Sequence, residues 1–223
     1  MRREARPRAD ATATAQGALR EMRMSDVDAI LQLEREAFPD IPDERLWQRH
    51  QVESHIRTFP EGQWVVERDG VILGSCMNMR TSWERATTQH RWREITAMGT
   101  IDTHDPHGDT LYGVEIMVSP RARRMGLGRR MFERRFAYVV EHGLRGFVTG
   151  GRLPGYCEHR ERLVPQEYIE AVMHGELTDP VLTPELKWGC TPIGVFAGYI
   201  MDPASCHYAT VVVWENPERR GAR

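Results

Sequence analysis

Lysine is almost absent from this chain, since Lys187 is the only lysine among 30 lysine and arginine residues. Arginine content is therefore weak evidence for phosphate binding. Cysteine is also scarce, and the four cysteines form no C-x-x-C pair, which fits a reducing cytosol. No apolar run approaches the roughly 20 residues that a membrane span needs. The net charge of -2 gives no reason to expect nonspecific nucleic-acid binding. From these absences we expect a cytoplasmic protein that binds neither membranes nor nucleic acids.

A length of 223 residues allows a sizeable core and favours one domain. Residues 1–18 are rich in Arg, Ala and Thr, which predicts a disordered tail. A transit peptide has a similar composition, but this segment lacks an apolar face. We therefore expect a single domain over residues 19–216, with an insertion at about 151–182 and a second tail at 217–223.

The most informative stretch is Val118–Arg130, whose Gly126 and Gly128 lie between an apolar run and a segment with helical periodicity. Glycines at such a turn let the backbone bend sharply and let the first amides of the helix point at an anion. The stretch therefore predicts a phosphate-binding cradle between a strand and a helix. It is not a P-loop, because Gly-Lys-Ser/Thr is absent.

Strands and helices alternate on either side of the cradle. Asp69-Gly70 between two apolar runs predicts a β-hairpin. The helix after the cradle should end at His142-Gly143, and the next strand must then run parallel to the one before the cradle. We predict strands at 19–24, 64–67, 71–79, 110–118, 146–150, 192–200 and 208–214, and helices at 25–38, 43–57, 127–142, 165–174 and 183–188. We expect Ser25 to cap the first of these helices and Thr183 the last, and residues 80–109 to form a long hairpin tip or a flexible loop.

The cradle resembles that of the GNAT superfamily of acyl-CoA-dependent N-acyltransferases. Its signature is Arg or Gln, two residues, Gly, one residue, then Gly or Ala, which matches Arg123-Arg124-Met125-Gly126-Leu127-Gly128. Val118-Ser119-Pro120 stands upstream, as it usually does in the family. The order of elements also agrees over about residues 18–216.

This resemblance implies an α/β (α+β) fold: a mixed, largely antiparallel twisted sheet with helices on both faces and a splayed parallel central strand pair. It implies acetyl-CoA as cosubstrate, with the pyrophosphate on the amides of residues 124–129 and the pantetheine on backbone groups of the strand. The implied donor-binding residues are Met117, Val118, Arg123, Arg124, Met125, Gly126, Leu127, Gly128 and Arg129.

A narrower resemblance concerns Gly-Gly-Arg-Leu-Pro-Gly-Tyr at residues 150–156, the insertion after it and the closing hairpin. These features are similar to the GNAT domain that is fused to nitrilase-like carbon–nitrogen hydrolases. We expect the hydrolase itself to be absent, because the chain ends at Arg223 and has one lysine for Glu-Lys-Cys chemistry.

The implied reaction is direct attack of a primary amine on the thioester of acetyl-CoA in a ternary complex. An alkylammonium with a pKa near 10 is mostly protonated at neutral pH, so a carboxylate acting through water can help to remove its proton. Glu115 is the candidate base, because several family members carry an acidic residue there. A strand glutamate that simply faces solvent or pairs with an arginine is an equally good interpretation.

Family members often carry a general-acid tyrosine four residues before the glycine that ends the short late helix. This chain has Glu185 there, so the usual acid is absent. Tyr156 is the substitute candidate; water and a purely structural tyrosine are the alternatives. Arg152 is a candidate for binding a carboxylate on the acceptor, although most loop arginines have no such role. The six acidic residues between Glu158 and Asp179 suit either a cationic acceptor or a solvated surface.

His104 and His107 lack further ligands at zinc-like spacing, so we expect no metal. A homodimer is compatible with the family. The missing helix tyrosine leaves a second hypothesis open, a catalytically idle GNAT-like module that senses acyl-CoA or docks a partner. An RNA-binding arginine helix ranks last, given the acidic balance.

Overall fold

The computed structural model describes residues 17–39 and 41–220. The predicted N-terminal tail lies almost entirely outside the described residues, as do the last three residues of the predicted C-terminal tail. The strands are β1 Ala18–Glu21, β2 Trp64–Arg68, β3 Val71–Thr81, β4 Thr110–Val118, β5 Gly146–Arg152, β6 Thr191–Ala197 and β7 Tyr208–Glu215. The α-helices are α1 Val27–Ala37, α2 Arg49–Thr58, α3 Trp83–Thr87, α4 Trp92–Ile95, α5 Leu127–Glu141, α6 Pro165–Met173, α7 Leu182–Lys187 and α8 Pro217–Arg220.

The strands form a seven-stranded sheet in the order β1-β2-β3-β4-β5-β7-β6. β4 and β5 pair in parallel, from Thr110 opposite Gly146 to Gly113 opposite Thr149. The pairs β1-β2, β2-β3, β5-β7 and β6-β7 are antiparallel. A parallel pair within a mainly antiparallel sheet confirms the predicted fold class.

The chain divides into two compact units. The first contains the residues up to Met77 together with Glu115–Met131, and the second contains Asn78–Val114 and the residues from Phe132 onward. In the first unit, α1 and α2 contact each other and bury Ile30, Leu33 and Val52. In the second, aromatic side chains fill the core: Phe132 with Trp188 at 4.6 Å and Phe136 with Trp214 at 4.4 Å between ring centroids.

The hairpin between β2 and β3 confirms the prediction made from Asp69-Gly70. Both residues have positive φ, 53° and 78°. Two consecutive left-handed residues are what a two-residue turn needs to match the twist of its strands, and Asp and Gly tolerate them best.

Three local predictions are wrong. Ser25 does not cap α1; instead the carboxylate of Asp26 accepts the N–H of Arg23 at 2.7 Å and pairs with Arg20 at 2.7 Å. The second helix begins at Arg49 rather than residue 43, because Asp43–Arg45 forms a separate 3₁₀ turn. The segment 80–109, which has no clean period in the sequence, contains α3 and α4.

Cys157 and Cys206 form a disulfide, with 5.7 Å between their Cα atoms. It joins the 3₁₀ turn after β5 to the turn between β6 and β7. Cys76 and Cys190 are buried and take no part in this disulfide. The wide spacing of the four cysteines in the sequence does not indicate that Cys157 pairs with Cys206.

Candidate active site

The cradle follows β4 and lies in the first unit. Ser119 N–H donates to the carbonyl of Leu73 at 2.9 Å, and a short 3₁₀ turn, Pro120–Ala122, leads into α5. Gly126 has a φ of 79° and Arg124 one of 65°. A left-handed non-glycine residue is costly and is common at binding sites.

The N-terminus of α5 has the geometry of an anion site. A backbone bond runs from Arg130 N–H to the carbonyl of Gly126 at 3.1 Å, so the helix ladder starts at that amide. The first amides of an α-helix lie before the start of its hydrogen-bond ladder and point out of the helix end. Leu127 is buried and holds the turn against the core, whereas Arg124 and Arg129 are exposed. Amides, helix dipole and guanidinium groups together favour a negative charge at this helix end; the diphosphate itself stays a prediction.

The other predicted donor-binding residues lie on or beside this segment. Arg123 is exposed and its Nη2 donates to the carbonyl of Ala37 at 3.4 Å, which fixes the loop to the end of α1. Met117 is buried and Val118 is half-buried at the end of β4. Their backbone role towards pantetheine stays a prediction.

Glu115 lies in the same unit as the cradle and is half-buried. Its Oε2 accepts the indole N–H of Trp47, which follows the 3₁₀ turn before α2. The backbone N–H of Trp47 in turn donates to Oε2 of Glu34 on α1, at 2.6 Å. One tryptophan therefore connects two carboxyl groups that are far apart in the sequence.

The loop that carries Trp47 is held from several sides. Its ring packs edge-on against His55 of α2, with 5.3 Å between ring centroids. Burial raises the pKa of Glu34 to about 7, even though the Trp47 N–H favours the charged form. The indole N–H donor is thus fixed in place beside Glu115.

Tyr156 and Arg152 lie in the second unit. The Tyr156 side chain is buried against the rings of Tyr168 and Tyr208, and its hydroxyl donates to the carbonyl of Leu163 at 3.2 Å. Arg152 ends β5 and forms an ion pair with Asp202 at 3.4 Å. Both contacts suit a structural role. The role of Tyr156 as general acid and that of Arg152 as ligand of an acceptor carboxylate stay predictions.

Asp179, one of the six acidic residues of the insertion, has a structural task. Its carboxylate is buried and accepts from Gly155 N–H, the Tyr168 hydroxyl and the amides of Val181 and Leu182, at 2.8 to 3.1 Å. It also caps α7, so Thr183 does not cap it as predicted.

Glu185 on α7 is buried in the second unit, and burial raises its pKa to about 8 although Arg135 favours its charged form. Among the described residues no donor lies within hydrogen-bond distance of its Oε2. That oxygen faces Gly151 of β5: a Cβ atom at this glycine would lie 2.7 Å from it. Although the usual tyrosine is missing, this position therefore holds a carboxylic acid that is mostly protonated at pH 7.

The sequence does not predict the hydrogen bonds that Trp47 makes with Glu115 and Glu34, nor the protonation of Glu185 at neutral pH. The sequence predicts a helix over residues 43–57, which includes Trp47, and nothing in that pattern indicates that the indole reaches Glu115. The only available signal was that a buried glutamate needs a partner or a proton.

Within residues 17–39 and 41–220 no cluster of three or more His, Cys, Asp or Glu side chains is arranged to hold a metal ion. In the same part of the chain no helix combines the length and apolarity that crossing a membrane requires.

Comparisons with known proteins agree with this geometry. Residues 27–150 match the profile of the family described as the Acetyltransferase (GNAT) family. A protein of Bacillus subtilis (strain 168) described as "Uncharacterized N-acetyltransferase YkwB" is 36% identical over 193 residues, covering 86% of this chain and 85% of that protein.

"Probable hydrolase YhcX" of the same organism is also 36% identical, over 199 residues, and the match covers 89% of this chain. The chain spans only 38% of the length of YhcX. Among solved structures, "GphF GNAT-like decarboxylase in complex with isobutyryl-CoA" is 25% identical with a TM-score of 0.75, covering 89% of this chain and 99% of that one.

Proposed function

Because the chain belongs to the GNAT acetyltransferase family, we propose that it transfers an acetyl group from acetyl-CoA directly to a primary amine in a ternary complex. Family membership supports acyl transfer from an acyl-CoA donor. The observation that carries the amine assignment is the carboxylate of Glu115, held by the Trp47 indole in the same unit as the cradle.

The cradle is proposed to bind the diphosphate of the donor. The amides of residues 124–129 and the dipole of α5 supply positive potential, while Arg123 fixes the loop. The proposal includes backbone contacts from Met117 and Val118 to the pantetheine arm, which would orient the thioester for attack.

Glu115 is proposed to take the first proton from the acceptor ammonium through a water molecule. The hydrogen bond from Trp47 favours the charged form of the carboxylate, which is the form that acts as base. Arg152 is proposed to contact an acceptor carboxylate, in competition with Asp202.

The leaving thiolate needs one proton. Tyr156 remains a candidate donor, but its hydroxyl hydrogen is engaged by Leu163. Glu185 is the alternative, because its carboxyl group carries a proton at neutral pH. A loss of turnover in Tyr156→Phe alone identifies the tyrosine as donor, and a loss in Glu185→Gln alone identifies the glutamic acid. Unchanged turnover in both variants identifies water.

Two measurements on the full chain test the proposal. Acetyl-CoA at about 100 times its Kd should stabilise the protein by about 2.7 kcal/mol in a thermal-shift assay. The Arg123→Ala/Gly126→Val double variant should lose this stabilisation, because valine does not tolerate the positive φ at position 126. Absence of any stabilisation of the wild type would exclude acetyl-CoA as donor.

Release of free thiol with a panel of primary amines tests the second step. Turnover excludes the catalytically idle module, whereas binding without turnover across the panel favours that module over the enzyme. Glu115→Gln should lower this turnover, because an amide takes up no proton. Its control is Asp28→Asn, which changes an exposed carboxylate in the same unit and should leave turnover unchanged.

Decarboxylation of a carboxyacyl-CoA is a second candidate function. It is favoured by the similarity to GphF, which is described as a GNAT-like decarboxylase. Incubation with malonyl-CoA or methylmalonyl-CoA, without amine, should then release CO₂ and the shortened acyl-CoA. Stable carboxyacyl-CoA alongside amine turnover would rule this candidate out.

A further inference from the structure

The disulfide between Cys157 and Cys206 joins two turns of the second unit and has no part in the proposed function. Cys157 lies in the 3₁₀ turn that follows β5, and Cys206 ends the 3₁₀ turn between β6 and β7. Both residues are half-buried, whereas Cys76 and Cys190 are buried. A reagent in solvent therefore meets this pair before it meets the other two cysteines.

The two sulfur atoms of the disulfide have opposite electrostatic surroundings. The guanidinium Nη1 of Arg160 lies 3.9 Å from Sγ of Cys206. The carbonyl oxygen of Pro203 lies 3.1 Å from Sγ of Cys157. A positive charge favours a thiolate, and the negative end of a carbonyl dipole disfavours it. If the S–S bond is cleaved by a thiolate, the negative charge should therefore go to Cys206, and Cys157 should be the sulfur that is attacked.

Contacts other than the disulfide hold the two turns beside each other. Arg152 at the end of β5 pairs with Ala209 of β7 and forms its ion pair with Asp202 at 3.4 Å. The N–H of His207 donates to the carbonyl of Asp202 at 2.9 Å, and the N–H of Gly198 donates to the carbonyl of His207 at 2.8 Å. Cleavage of the S–S bond breaks none of these contacts. The two sulfur atoms should therefore stay within reach of each other, so the bond can form again.

We propose that Cys157 and Cys206 form a reversible redox site that exchanges with low-molecular-weight thiols while the protein stays folded. A thiolate attacks Sγ of Cys157 and forms a mixed disulfide there. The bond to Cys206 breaks, and Cys206 leaves with the electron pair as a thiolate beside Arg160.

A second thiolate completes the reduction. It attacks the sulfur of the bound thiol, and Cys157 leaves as a thiolate that takes a proton from water. Two external thiols are thereby oxidised to one disulfide, and their two electrons reduce the protein disulfide to two cysteines. The same steps in reverse, with the oxidised thiol as reagent, restore the bond between Cys157 and Cys206.

The two buried cysteines show whether the protein unfolds during this reaction. Cys190 lies in the same unit, and burial raises the pKa of its thiol. Since iodoacetamide reacts with thiolates, Cys190 should be alkylated only after the unit opens. Cys76 is buried in the first unit and serves in the same way there.

Reduction of the full chain by dithiothreitol distinguishes a redox site from a purely structural disulfide. Samples are quenched with iodoacetamide, and peptide mass spectrometry locates the label. We expect Cys157 and Cys206 to be labelled at a rate that is proportional to the dithiothreitol concentration and unchanged by urea below the unfolding transition, with Cys190 unlabelled. No reduction below the transition, or a rate that rises with urea together with labelling of Cys190, would overturn the proposal.

Glutathione, a monothiol, identifies the sulfur that is attacked. The glutathione adduct should be on Cys157 and the iodoacetamide label on Cys206. The opposite pattern would overturn the assigned direction of cleavage.

Replacing Arg160 tests the charge beside the leaving sulfur. Two unit charges about 4 Å apart in water correspond to about a fivefold effect, and the ion pair of Arg160 with Glu161 at 3.3 Å reduces it. Arg160→Gln should therefore slow the exchange about two- to fivefold. The matched control is Arg162→Gln, which removes the same charge from an exposed arginine and should keep the wild-type rate. Equal rates in Arg160→Gln and the wild type would overturn the assignment of Cys206 as leaving group. These measurements use no acetyl-CoA, so their outcome is independent of the proposed acetylation.

Discussion

Replacing Glu185 with glutamine should change how the stability of this protein depends on pH. The carboxyl group is buried on α7, and burial raises its pKa from 4.5 to about 8. The folded state therefore holds this proton more tightly than the unfolded chain does. Linkage then requires the stabilising contribution to be complete below pH 4.5 and to be lost as the pH rises towards 8.

The size of the effect follows from the two pKa values. One pKa unit corresponds to about 1.36 kcal/mol, so the full shift is on the order of 5 kcal/mol. Between pH 5.5 and pH 8.5 the free energy of unfolding should fall by on the order of 3 kcal/mol from this group alone. Glutamine has a similar shape and does not titrate, so the variant should lack this fall.

Urea unfolding at pH 5.5, 7.0 and 8.5 measures the effect. The decisive quantity is the change with pH in the wild type minus the same change in Glu185→Gln, because Glu34, whose pKa is also raised, contributes equally to both proteins. Glu176→Gln, which alters an exposed carboxylate of the insertion, should behave like the wild type. Parallel pH dependence in the wild type and Glu185→Gln would refute the argument that burial keeps this carboxyl group protonated.

The remaining predictions concern single contacts. Trp47→Phe keeps an aromatic ring but removes the N–H that Glu115 accepts. A hydrogen bond to a charged group contributes ~1.5–3 kcal/mol, so kcat should fall about tenfold. An unchanged kcat, measured by thiol release, would count against Glu115 as base. Cys157→Ser opens a covalent loop of 49 residues and should lower the free energy of unfolding by about 4 kcal/mol; four titratable thiols in the unfolded, unreduced wild type would contradict this. Gly70→Val should cost about 1 kcal/mol in urea unfolding, because φ is 78° there; a neutral result would argue against the tight turn.

The sequence by itself determined the features whose causes are local. Asp69-Gly70 required a tight hairpin, and the glycines of the cradle required a turn from β4 into α5. The helix of α5 then forced β5 to run parallel to β4, as the structure confirms. These elements depend on backbone conformation and periodicity over a few residues, so residues that are close in the sequence determine them.

Only the tertiary structure decided which side chains meet. Trp47 and Glu115 are 68 residues apart, and the hydrogen bond between them exists because the loop before α2 folds over β4 in the first unit. Burial, which makes Glu185 a neutral acid, depends on α7 packing over Gly151. The hydrogen bonds that join His90, Tyr112 and Tyr199 likewise need a segment without clear periodicity to settle beside two strands. A pKa and a hydrogen-bond partner are properties of the surroundings, and the surroundings here come from residues distant in the sequence.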